Sequence, residues 1–208
     1  MLKLVIGDRN FSSWSLRPWL ALKATGRPFE EISIRLRQAG TRAEIRQHSP
    51  SGKVPCLIDG KTVVWDSLAI CEYLEESNPE LWPQDPARRA EERSVSAEMH
   101  AGFAALRQGL PMDIRAFMPH NERSAEVEAE IARIIAIWEG CRDRFDADGD
   151  FLFGRFSIAD AMFAPVVWRF LTYAVTLPPA SQAWVESMCA LPAMQAWRAA
   201  AALEPESV

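Results

Sequence analysis

An α/β unit followed by an all-α unit is the fold class this sequence predicts. Three observations carry that expectation. Within the first 80 residues the periodic segments run strand, helix, strand, then strand, strand, helix. A proline-rich stretch, "NPELWPQDP" (78–86), then interrupts the pattern. Beyond it the periodic segments are helical throughout. The expected boundaries are residues 1–80 for the α/β domain and 87–208 for the helical one.

Each element has its own signal. "LKLVIG" (2–7) is a short apolar run that reads as a buried first strand. Residues 15–25 read as a helix closed by Gly26, a residue type common just past helix ends. Residues 29–36, "FEEISIRL", alternate apolar and polar and read as a second strand. Residues 41–52 form a short polar helix or loop broken by Pro50 and Gly52. "VPCLI" and "TVVW" (54–58 and 62–65) flank Asp59-Gly60, a pair suited to a tight hairpin turn. A helix opens at Asp66 or Ser67 and stops before Pro79. The first crossover implies two parallel strands, and the hairpin adds two antiparallel ones. Past the linker, Gly and Pro punctuate helices near 86–108, 124–145, 157–173, 180–190 and 192–203.

Composition narrows the function classes. The 208 residues are 49% hydrophobic and 25% charged, an ordinary globular balance, with net charge −5. An acidic total argues against nucleic acid or anionic membranes as partners. The charge is uneven: residues 1–80 carry 11 basic and 10 acidic side chains (net +1), leaving 12 and 18 (net −6) for 81–208. The near-neutral first part can therefore hold an anion pocket. The N-terminus has no signal-peptide pattern, and no apolar run approaches the roughly 20 residues that span a bilayer. Cys56, Cys71, Cys141 and Cys189 lie far apart with no C-x-x-C pair, and His48, His100 and His120 are scattered. No metal site is expected, and the thiols are expected reduced in a cytoplasmic setting.

Four stretches carry candidate chemistry. "NFSSWSLRPWL" (10–20) puts Ser12 and Ser13 ahead of a helix expected to start near Ser15, with Pro18 in its first turn. The unpaired N–H groups and positive end of that helix would stabilise an anion such as a thiolate, and a hydroxyl there would donate to it. The same serines also suit a simple helix cap. "KVPCLIDG" places Pro55 inside a strand, where it cannot donate to the ladder. A cis Val54–Pro55 bond would explain it and would expose the Val54 backbone to an extended ligand; an edge strand with trans proline is the alternative. "WDSLAI" sets Asp66 and Ser67 at a helix start, where Ser67 with the amides can hold a carboxylate and Asp66 an ammonium, or both can merely cap. "FSIADAMFAPV" contains Ser157 and Asp160 at S-x-x-D spacing. That is a capping box, with Phe156 as a staple against Ala161 or a neighbouring apolar residue.

Taken together, the serine loop, the Val-Pro strand and the Asp-Ser helix start, followed by helices, resemble a bacterial cytosolic glutathione S-transferase along nearly the whole chain. "SSWSLR" is similar to the serine-rich "SSCSWR" loop of the zeta class, the maleylacetoacetate isomerases, with Trp14 in place of the cysteine. "FSIADA" resembles that family's capping box. The resemblance implies a thioredoxin-like first domain that binds glutathione as co-substrate. Ser12 would activate the glutathione thiol, assisted by Ser13. Val54 would pair through its backbone with the cysteinyl part, Pro55 would be cis, Asp66 would take the γ-glutamyl ammonium and Ser67 its carboxylate, and Lys53 would approach the glycyl carboxylate. Phe11, Trp14, Met112, Arg115 and Arg169 are expected to wall a pocket for a small electrophile. The implied protein is a homodimeric, serine-type transferase or glutathione-dependent isomerase. The alternative is a transferase-like binding or docking module with little catalysis. No tyrosine precedes Tyr73 and no cysteine lies in the loop, which argues against tyrosine-type transfer and thiol exchange.

Overall fold

The computed structural model describes residues 1–205. Strand β1 (Leu2–Gly7) runs into helix α1 (Ser13–Ala24), which crosses to β2 (Phe29–Ile34). A short helix, α2 (Thr41–Arg46), precedes the hairpin β3 (Cys56–Asp59) and β4 (Thr62–Trp65), and α3 (Ser67–Ser77) follows. The sheet order is β2-β1-β3-β4. β1 and β2 are parallel, Leu2 opposite Phe29; β1 and β3 are antiparallel, Leu4 opposite Leu57. This is the expected βαβ-ββα arrangement, with the fold of a thioredoxin-like unit.

Two local expectations are corrected by backbone chemistry. The third strand starts at Cys56, two residues later than expected, because Pro55 has no N–H for the ladder. Helix α1 starts at Ser13, two residues earlier than expected, with Ser12 as its N-cap. Pro18 therefore lies inside the helix and not in its first turn, where it withholds a donor from the Trp14 carbonyl. Burial of Leu16, Trp19, Leu20 and Leu22 against the core offsets that loss.

The helical part comprises α4 (Pro86–Ala101), α5 (Ala104–Gly109), α6 (Ala125–Phe145), α7 (Ile158–Thr172), α8 (Pro179–Ala190) and α9 (Pro192–Ala202). The single helix expected over 86–108 is broken at Gly102 and Phe103. Gly102 is extended (φ −94°, ψ −168°), and Phe103 takes a left-handed φ of 63°. An aromatic residue accepts that conformation because its ring is buried in the core. Helix α7 is buried along most of its length and packs on α1 and α4. Trp138 gathers Phe163, Phe170 and Trp184 around it, with ring centroids 4.4–6.0 Å apart. One apolar core thus runs from the sheet into the helices.

The capping box forms as expected. Both the N–H and the hydroxyl of Ser157 donate to Asp160 Oδ2, at 2.9 and 3.0 Å, and Phe156 rests edge-on against Phe151. Beside it Glu92 is fully buried, and its Oε1 accepts the Ala159 N–H at 3.1 Å. Burial pushes the Glu92 carboxyl up to about 8, with Asp160 and Glu75 adding like charge. A raised native value means that the folded state holds a proton the unfolded chain releases from its ordinary value near 4.5. Stability is then fullest below that value and falls by up to about 1.4 kcal/mol per pH unit as pH rises toward 8. Glu92→Gln is expected to flatten the decline between pH 5 and 8 in urea unfolding; an unchanged slope would clear Glu92 of the effect.

Candidate active site

The site begins at the junction of β4 and α3. Asp66 holds a left-handed φ of 79°, an uncommon backbone state for a residue with a side chain. What stabilises it there is capping: Asp66 Oδ1 accepts the N–H groups of Leu68 and Ala69, at 2.9 and 3.2 Å. Its Oδ2 faces His100 Nε2 of α4 at 3.2 Å. The next hydroxyl, Ser67 Oγ, is buried and has no hydrogen-bond partner among the described residues. A buried hydroxyl without a partner is costly, and this one stands at a helix N-terminus, where an anionic oxygen is stabilised.

A cleft of about 510 Å³ opens in front of these groups. Lys53, Val54, Pro55, Asp66 and Ser67 line it, together with Trp14, and so do Ser51, Trp65 and His100. The Val54–Pro55 peptide bond is cis. All five residues expected to contact glutathione therefore lie on one concavity, although Lys53 and Ser67 are 14 positions apart in the chain. Its volume is in the range typical of small-molecule sites.

Trp14 forms one wall. The guanidinium carbons of Arg17 and Arg107 lie 4.4 and 4.5 Å from its ring, and the His100 imidazole meets it edge-on at 5.4 Å. Arg17 is fully buried; its Nε donates to the Met162 carbonyl at 3.0 Å, and neither Nη has a hydrogen-bond partner among the described residues. Burial, and then the positive charges of Arg107 and Arg169, hold its pKa well below the usual arginine value. The electron-rich indole offsets part of this cost, and Cys71 and Asp66 also favour the charged guanidinium. Burial likewise lowers the His100 pKa, so near neutral pH its imidazole is an uncharged partner for Asp66.

The serine loop sits deeper. Ser12 and Ser13 are buried and are not among the residues that line the cleft. Gly7 N–H donates to Ser15 Oγ at 3.1 Å, and Ser15 Oγ lies 2.7 Å from Ser12 Oγ. When Ser15 donates to Ser12, the Ser12 hydroxyl hydrogen is left to donate onward, in a relay of the kind that strengthens each bond in turn. Ser12 makes no side-chain capping bond to α1, so the simple-cap reading of that hydroxyl does not hold.

Of the residues expected to wall the second pocket, Trp14 alone lines the cleft. Phe11 is covered by the Arg37 guanidinium, 5.1 Å from its ring. Met112 is buried in the core. Arg169 donates to the Leu110 carbonyl, and Arg115 donates through Nη1 to the Glu204 carbonyl at 2.8 Å. These two arginines bind backbone carbonyls.

Comparison with known proteins fits this layout. Residues 11–77 match the family model "Glutathione S-transferase, N-terminal domain", and residues 121–200 match "Glutathione S-transferase, C-terminal domain". A maleylacetoacetate isomerase from Pseudomonas aeruginosa is 30% identical over 189 residues, 85% of this chain and 84% of that protein. The chain belongs to the glutathione S-transferase family. The mouse maleylacetoacetate isomerase is 42% identical over 104 residues, a match that spans about half the length of either protein (47% of each). Among solved structures, a theta-class glutathione S-transferase from Xanthomonas axonopodis pv. citri with glutathione bound shares 28% identity. It superposes with a TM-score of 0.66 over 94% of this chain and 95% of that one. A glutathione transferase homolog from Burkholderia with bound glutathione has a TM-score of 0.72 at 23% identity, covering 98% and 99%, which is a likeness of fold.

Within this transferase fold, the five residues expected to contact glutathione and the serines at 12 and 13 all fall inside the matched N-terminal segment. Reading the sequence missed Ser51, Trp65 and His100 as lining residues. Trp65 carried a signal, its place at the end of β4 directly before Asp66; in the structure it remains 48% exposed. His100 carried none, because only the packing of α4 on α3 brings it there.

Proposed function

We propose that the protein is a glutathione-dependent transferase or isomerase that binds glutathione in the cleft and holds its sulfur as a thiolate for attack on a small electrophile. The observation that carries this reading is the buried, unpartnered hydroxyl of Ser67 at the start of α3, beside Asp66 and inside the cleft. Asp66 Oδ2 and Ser67 Oγ offer one acceptor and one donor a residue apart, the pair that an ammonium and carboxylate on one carbon require. Lys53 adds a cation on the opposite stretch for a second carboxylate. Ser12, at the head of its hydroxyl relay, is the donor proposed for the sulfur, with Ser13 assisting. The relatives named maleylacetoacetate isomerase support an isomerase of that type. The proposed division of labour is glutathione on residues 1–80 and the electrophile against 87–208. The open volume beside Trp14 weighs against the docking-module alternative, which a cleft filled by Trp14 would have favoured. We further propose a cytoplasmic homodimer; a monomer in light scattering at micromolar protein would refute the dimer.

The test is retention on immobilised glutathione, followed by conjugation of a generic electrophile. Ser67→Ala is expected to weaken glutathione binding by about 1.5–3 kcal/mol, the worth of a hydrogen bond to a charged group, while thermal stability changes little because that hydroxyl has no partner among the described residues. Parent and variant eluting alike would sink the assignment.

A further inference from the structure

The segment that carries Ser12 and Ser13 is fastened by residues far away in the chain. Glu204, just past α9, turns its carboxylate onto two successive backbone amides of the serine loop. Oε1 accepts the Arg9 N–H at 2.6 Å, and Oε2 accepts the Asn10 N–H at 3.0 Å. Trp197 of α9 adds an Nε1–H bond to the Arg9 carbonyl at 2.9 Å. From the other side, the Asn10 side chain, itself fully buried, donates to Asp113 Oδ1 at 2.8 Å and accepts the Arg115 N–H at 3.0 Å. Arg115 closes the ring by donating to the Glu204 carbonyl at 2.8 Å.

We propose that Glu204 is a positioning residue for thiol activation: it fixes the Arg9–Asn10 turn, and through it the register of Ser12. The coupling is short. Ser12 N–H donates to the Asp8 carbonyl at 2.7 Å, so rotation of the turn at Arg9 and Asn10 carries the serine with it. Two charge-assisted bonds from one carboxylate to adjacent amides set both position and orientation, which a single bond does not. Catalytic donors tolerate displacement poorly, and about 1 Å costs up to a hundredfold in rate. This inference rests on the reading that the serine loop faces the glutathione sulfur.

The experiment compares parent, Glu204→Ala and Glu204→Gln. Glutamine keeps the shape but offers one acceptor oxygen in place of two. The readouts are the thiolate absorbance of bound glutathione against pH, kcat and KM for a generic electrophile, and glutathione affinity. Glu204→Ala is expected to lower kcat about tenfold and to move the thiolate titration to higher pH, with affinity within about twofold, since the contact residues around Asp66 are untouched. Glu204→Gln is expected to fall between. Loss of affinity in proportion to kcat, or a titration identical to the parent in both variants, overturns the inference alone. A parent that forms no glutathione thiolate overturns the functional reading and this inference together.

Discussion

Replacing Asp160 by alanine is expected to cost the fold about 3–5 kcal/mol, from two buried donors left unpaired at about 1–3 kcal/mol each together with a lost helix cap at about 1 kcal/mol. The carboxylate is completely buried. Its Oδ1 accepts the Leu152 N–H at 3.0 Å and the Trp184 Nε1–H at 2.8 Å, and its Oδ2 accepts both donors of Ser157. Alanine leaves the first two donors orphaned, strips the N-terminus of α7 of its box, and loosens Trp184 from Trp138. The check is the urea midpoint at constant slope. A loss near 1 kcal/mol, that of a cap alone, would show that the tie to Leu152 and Trp184 contributes nothing. Burial raises the Asp160 pKa to about 6, against the four bonds that favour its charge. That burial penalty grows as pH rises from the ordinary carboxyl value through 6, so the parent is expected to be more stable at pH 5 than at pH 7.

Ser12→Ala is expected to lower conjugation near neutral pH and move its pH–rate profile upward while glutathione still binds. A hydrogen bond to a charged sulfur is worth roughly 1.5–3 kcal/mol, which corresponds to a thiol pKa lowered by about one to two units. The relay adds a sharper expectation. Ser15→Ala removes the group that orients the Ser12 hydroxyl and also orphans the buried Gly7 N–H. It is expected to shift the thiolate titration in the same direction by less, and to destabilise the fold by about 1–3 kcal/mol. Ser13→Ala is the control for register. If Ser12→Ala titrates as the parent does and Ser13→Ala does not, Ser13 is the donor. If neither moves, the thiolate is held by backbone amides or not at all.

Much of this was legible in the sequence because local chemistry forces it. The Asp-Gly hairpin, the Asp66 cap and the Ser157–Asp160 box each depend on residues within a few positions of one another. The motif order then indicated the family. What the sequence by itself determined was therefore the class of the fold and the order of its two parts, and it singled out Lys53, Val54, Pro55, Asp66 and Ser67, which line one cleft. Only the tertiary structure decided what closes the site. It placed His100 against Asp66, wedged Trp14 between two arginines, and gave Arg115 and Glu204 to the serine loop and not to a substrate wall. It also broke the helix expected over 86–108, where burying the Phe103 ring outweighed the backbone preference of one residue. The physical reason is common to all of these. Periodicity records which face of a helix turns inward, whereas the partner a buried charge or ring meets is set by residues up to about 195 positions away, through packing that no local window contains.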